Sequence, residues 1–209
     1  MLSNLCSEAP VPYQQVEYLE QVDGKSYIDT GYSPNQAPIL EVTFSAPKGS
    51  SMYLIGADGS GNTRFSLARV NSSTRLEFRI GNYRSIVSDA NFHVAKIDGT
   101  TGKAYLDNVV KWTSSYRNFN DLNILVFTSS YIDSSTGEPA VRTSMLKGVK
   151  IAGVRQWSPT GKLLRNYVPV RDGEIGYLYD KVTRQLFGNE NPTGAFGYGA
   201  DLLVGGVET

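Results

Sequence analysis

The chain holds one histidine, His93, and one cysteine, Cys6. A Cys–His pair can generate a nucleophilic thiolate. Cys6, however, falls in an irregular N-terminal stretch that continues through Pro10 and Pro12. One cysteine closes no internal disulfide, and one histidine with one cysteine builds no zinc site. His93 sits in an alternating strand pattern and reads as a structural histidine whose ring bonds to its neighbours. Paired carboxylates are the other route to hydrolysis, and two residues apart on a strand they share a face. Glu17 and Glu20 are three apart on a predicted strand, which puts them on opposite faces. Asp29, Asp133 and Asp180 lie in or near predicted loops, where a short carboxylate caps turns. Asp180 and Asn189 are expected to bond to backbone groups. The glycines of Pro192-Thr193-Gly194-Ala195-Phe196-Gly197-Tyr198-Gly199 make no phosphate loop, because no helix follows and no Lys-Ser/Thr closes the run. They read as bends that let Phe187 and Phe196 plug one end of a core. No catalysis, cofactor or resident metal is expected.

Recognition is the chemistry the residues favour. Sugar rings stack their apolar faces on aromatic rings while polar groups fix orientation. Thirteen tyrosines and two tryptophans supply such rings. Tyr83, Trp112, Tyr116, Tyr131 and Trp157 lie at positions where exposure is conceivable, and these are the candidate ligand contacts. Trp157 shares its strand face with Arg155 by alternation.

The elements that must position these rings are strands. Thr74 to Ile80 alternates Leu76, Phe78 and Ile80 with Arg75, Glu77 and Arg79, a half-buried antiparallel strand with a charged solvent side. Gly81-Asn82 supplies a tight turn, and Tyr83 to Ser88 returns. Further strands are expected over Val16 to Leu19, Ser26 to Thr30, Ile39 to Ser45, Met52 to Ala57, Arg64 to Val70 and Asn91 to Asp98. The series continues with Lys103 to Asp107, Val109 to Thr113, Leu122 to Thr128, Leu146 to Trp157 and Lys162 to Val168. Residues 129–140 read as a polar surface loop. Short, regularly spaced strands without helical periodicity predict an all-β sandwich or barrel.

Charge and ends narrow the classes. Lys plus Arg and Asp plus Glu each total 20, giving zero net charge. The isoelectric point is near 6.6 and no run of five like charges occurs, which argues against nucleic acid as partner. No stretch approaches 18 apolar residues, so no membrane insertion is expected. Met1 to Cys6 shows neither a basic start nor an apolar run, so no secretory signal is expected there. Residues 1–14 read as an arm or linker, 15–200 as the single domain, and 201–209 as a last strand or tail. Leu5, Pro10 and Pro12 are the arm residues expected to touch a partner chain.

Three groups of residues carry a family likeness. Phe92-His93-Val94-Ala95, Asp98-Gly99-Thr100 and Ala104-Tyr105-Leu106-Asp107-Asn108 resemble the central signature of concanavalin A-like, laminin-G-like jelly rolls. Asn108 replaces the usual glycine there and also tolerates the left-handed conformation. The opening, Val16 to Glu20 and Tyr27 to Tyr32, looks like a subgroup found in bacteriophage and prophage virion proteins and gut-bacterial surface proteins. The closing motifs, Gly161 to Arg171, Tyr179-Asp180, Phe187-Gly188-Asn189 and Thr193 to Phe196, fit the same subgroup, so the likeness spans residues 16–199.

The resemblance implies a two-sheet antiparallel jelly roll that binds or builds rather than catalyses. It implies a virion accessory protein: a capsid decoration, head-fibre or tail-fibre component attached to other virion proteins or to its own copies, and to host or mucosal glycans. A carbohydrate-binding module of a bacterial cell surface is the alternative. A glycoside hydrolase is more remote, because the family's hydrolases carry a Glu-x-Asp-x-x-Glu strand that this chain lacks. Ca²⁺ sites also occur in laminin-G-like folds, with Asp29, Asp133 and Asp180 as the donors on offer.

Overall fold

Alternation builds the strands. Leu76, Phe78 and Ile80 are fully buried, as are Leu40, Val42 and Phe44 in the next such run. The computed structural model of the chain describes residues 10–48, 52–59, 61–70, 75–116, 118–142 and 147–203. Among these run nineteen strands and no helix. The first are β1 (Gln14–Gln15), β2 (Leu19–Gln21), β3 (Ile28–Asp29), β4 (Ile39–Ser45), β5 (Met52–Asp58), β6 (Arg64–Val70) and β7 (Arg75–Ile80). Then come β8 (Asn82–Val87), β9 (His93–Asp98), β10 (Lys103–Leu106), β11 (Val109–Thr113), β12 (Leu125–Val126), β13 (Ser130–Ile132) and β14 (Pro139–Val141). The last are β15 (Lys150–Trp157), β16 (Leu163–Asp172), β17 (Ile175–Asp180), β18 (Gln185–Phe187) and β19 (Phe196–Tyr198).

The strands form two sheets that pack as a sandwich. The larger runs β11-β10-β9-β4-β15-β16-β17-β18, with β1 beside β16 and β2 beside β15 and β19. The smaller runs β14-β13-β5-β6-β7-β8, with β12 on β5 and β3 on β12. Every pairing is antiparallel except β13 with β5. Leu40, Val42, Phe44, Ala95, Ile97, Ile151, Val154 and Tyr167 meet Ile55, Phe65, Leu67, Leu76, Phe78 and Val126 across one core. Burying such side chains stabilises by about 1.5–3 kcal/mol each, which drives the sheets together. Phe196 stacks on Phe127 with centroids 4.9 Å apart, and Phe187 meets Tyr167 edge-on at 5.1 Å, closing one end as expected.

Turn residues sit where the backbone needs them. Asp107 and Asn108 take φ of 52° and 63° between β10 and β11. Gly81 turns the chain at φ 69°, and Asn82 already pairs with Ile80 as the first residue of the return strand. Fully buried Asp180 accepts the backbone N–H groups of Asn166, Val182 and Thr183. Asn189 accepts Tyr27 N–H at 3.1 Å and donates to the Asn191 carbonyl at 2.7 Å.

The expected loop at residues 129–140 is instead a hairpin. Ser130, Tyr131 and Ile132 pair with Val141, Ala140 and Pro139 around the Asp133–Gly137 turn. Its Ser and Thr content hid the pairing, because strand propensity is weak on a half-exposed edge. At the ends, Tyr13 lies 5.7 Å from the Tyr179 ring, and Gln14 pairs with Arg171. Pro10 and Pro12 are exposed, and Leu5 lies outside the described residues. Asp201 bridges to Val16 and receives both forks of Arg171 at 2.7 and 2.6 Å.

Candidate functional site

The smaller sheet has one face on the core and one turned outward. Register fixes a transverse row on the outward face: Asp29, Leu125, Gly56, Ser66, Arg79 and Tyr83. The next row holds Tyr53, Ala68, Glu77 and Ser85. Asp58 and Tyr131 pair on the other side of the first row.

Arg79 is the hub of this face. Its guanidinium bonds Asp58 at 2.9 Å, Glu77, and the Tyr53 hydroxyl, and it lies 4.7 Å from the Tyr53 ring centre. Tyr53 donates to Asp58 at 2.5 Å. The Asp58 side chain is only 4% exposed and that of Glu77 9%. Burial opposes the Arg79 charge, but Asp58, Tyr53 and Glu77 outweigh it and raise the pKa. Burial, reinforced by Asp58, pushes the Tyr53 hydroxyl up as well. Arg142 extends the cluster, 4.2 Å from the Tyr131 ring and 5.4 Å from that of Tyr53. The expected solvent side of Arg75, Glu77 and Arg79 is therefore corrected for Glu77 and Arg79. Alternation placed them opposite the core, but Tyr53, Asp58 and Arg142 cover them.

Beside this cluster the sheet forks. β12 and β13 share one edge of β5, antiparallel at Ile55–Gly56 and parallel at Ala57–Asp58. Phe127, at φ 71°, reverses the chain between them and donates its N–H to the Leu54 carbonyl. The fork opens a cleft of about 360 Å³. Leu122, Leu125, Pro139 and Val141 give it an apolar floor, and Tyr27, Asp29, Asn123 and Ser130 give it polar walls. Asn123 donates to Asp29 at 2.9 Å, and Ser130 holds the Asn123 carbonyl at 2.5 Å. Asp29 also accepts Gly31 N–H at 2.7 Å, while Asp121 accepts Asn35 at 2.7 Å. Burial, then the charges of Glu190 and Asp29, raise the pKa of Tyr27. Among the described residues no group of three or more His, Cys, Asp or Glu converges to hold a metal ion.

The sequence-derived contacts are scattered by the fold. Tyr83 (54% exposed) and Tyr131 belong to the outward face of the smaller sheet. Tyr116, 37% exposed, covers Gly81 at one end of that sheet. Trp112 is half-buried and packs against the core beside Ala104, its partner in β10. Trp157 lies half-buried on the far side of the sandwich, 5.8 Å from both Lys96 and Arg155. His93 bonds Asp107 at 2.8 Å and Asp89 at 2.9 Å, a clasp between two turns. Tyr27, Asp29, Asn123 and Ser130 come together from segments about a hundred residues apart, and no local pattern announces them.

No family model matches the chain, and a search of curated proteins finds no match to it.

Proposed function

We propose that this chain is a non-catalytic jelly-roll binding module of a bacteriophage particle that engages glycans through the fork cleft. One observation supports the binding half: an apolar floor of Leu122, Leu125 and Val141 facing Tyr27, Asp29, Asn123 and Ser130 in a cleft of about 360 Å³. A sugar presents the complementary surfaces, a C–H face and a rim of hydroxyls. In the cleft Asp29 is tied to Gly31 and Asn123, Asp121 accepts from Asn35, and Glu190 stands at the wall. The reading of binding over hydrolysis rests on the lack of a Glu-x-Asp-x-x-Glu strand.

The virion half rests on the resemblance of residues 16–199 to virion jelly rolls. A module on a bacterial surface would use the same cleft with a different anchor. A glycan array followed by a reducing-sugar assay tests the reading. The expected result is retention of one polysaccharide class with no release of reducing ends. Sugar release abolished by replacing a single carboxylate would overturn it. Deleting residues 1–12, which spares β1, is expected to keep the fold and remove attachment to the particle.

A further inference from the structure

Open strand edges are where a sandwich can accept another chain, because their N–H and C=O groups lack partners along one side. Among the described residues, the free edges differ sharply. β14 is three residues long and begins with Pro139, which has no N–H to offer. β18 is also three residues long. β11 has five residues, but Lys111 stands at its centre and a register break interrupts its ladder with β10. A two-fold through β11 would oppose Lys111 to its own copy.

β8 is different. It has six residues, Asn82-Tyr83-Arg84-Ser85-Ile86-Val87, with neither proline nor glycine. It pairs with β7 along its whole length without a break, and ends the smaller sheet. Val87 is 74% exposed and Tyr83 54%, the latter comparable to Val109 of β11 at 55%. Tyr83 and Val87 lie on one strand face with Ser85 between them.

The geometry points to β8 as the seat of self-association, two copies pairing antiparallel about a two-fold through Ser85. The register is self-complementary. Ser85 meets the partner's Ser85, Tyr83 meets the partner's Val87, and Arg84 meets the partner's Ile86. Aromatic and β-branched residues make favourable cross-strand pairs, and no like charges face each other. An axis perpendicular to the sheet keeps both outward faces on one side, so the two smaller sheets become one. A closed two-fold contact of this kind forms a discrete dimer rather than a fibre. The two copies' fork clefts then face the same way, but the pairing itself requires no glycan.

Sedimentation or light scattering of the full chain over a concentration series tests this. The wild type is expected to reach twice the chain mass. Ser85→Lys sets two ammonium groups against each other across the axis, beside Glu77 within each copy. It is expected to give a monomer with unchanged far-UV circular dichroism and a melting temperature that no longer rises with concentration. Arg84→Ser, facing the partner's Ile86, is expected to stay dimeric. In a Cys6→Ser background, Ser85→Cys is expected to oxidise to a covalent dimer. Val87→Cys is not, because its opposite residue is Tyr83. A wild type that stays monomeric throughout overturns the inference. So does a dimer that Ser85→Lys leaves intact, or cross-linking at Val87 in place of Ser85.

Discussion

Arg79 and His93 show how single residues hold this molecule together. Arg79 neutralises two nearly buried carboxylates, and removing one partner of such a pair strands charge in low dielectric. Asp58→Ala is expected to cost about 3–5 kcal/mol in urea unfolding. A loss under about 1 kcal/mol would mean that the cluster behaves like an exposed pair. His93 makes a pH-dependent clasp. Partial burial lowers its pKa, but the hydrogen bonds to Asp107 and Asp89 more than offset this and hold it above 6.5. Its contribution is therefore complete below about 6.5 and is lost as pH rises through the folded value. Asp89 and Asp107 are held below their usual value of 3.8. The Asn91 N–H and His93 do this for Asp89. At Asp107, partial burial works in the opposite direction, and the Val94 N–H and His93 outweigh it. The acid side of the clasp thus fails only well into the acid range. The wild type is expected to lose melting temperature relative to His93→Gln as the pH rises above about 6.5. Parallel curves for the two proteins would refute the clasp. The bonding of His93 and the turn-capping of Asp29, Asp133 and Asp180 were readable from residue type and context. The burial of Glu77 and Arg79 was not, because alternation says which face a residue takes but not what covers that face.

Strands were legible in proportion to their alternation. β4, β6 and β11 run over the residues that the sequence assigns, and β4 shows the cleanest alternation of apolar and polar faces. β13, β14, β17 and β18 escaped notice: three are three residues long and polar or mixed, and the six-residue β17 is broken near its start by Gly176. β14 and β18 pair with the adjacent β13 and β17 in local hairpins. The fork is illegible for another reason, since a shared β5 edge leaves no local pattern. Gly56 is the element-scale weak point. It sits at φ 151°, and a Cβ there would lie 2.2 Å from that of Ser66 across the β5–β6 ladder. Gly56→Ala is expected to cost about 2–5 kcal/mol, combining overpacking with backbone strain. Thermal unfolding measures this, and a loss under about 1 kcal/mol would mean that the two strands can separate freely at that point.

For the molecule as a whole, a two-sheet sandwich exposes outer faces and turns while its core stays dry. Charges pair on the outward faces, as in Arg79 with Asp58 and Arg155 with Glu41. All-β architecture was legible from strand spacing alone. The cleft on the smaller sheet was not, although two of the rings singled out in sequence, Tyr83 and Tyr131, lie on its face. Carbohydrate binding by the fork cleft, as proposed, is open to a direct test. Ala140→Arg, on the half-buried β14 edge, extends a long side chain into that cleft. The deciding measurement is a glycan array probed in parallel with the wild type and this variant, with matched circular dichroism. The account predicts wild-type signal on one glycan class, reduced about tenfold or more in the variant, equivalent to about 1.4 kcal/mol. No wild-type signal, or equal signal from both proteins, would contradict it.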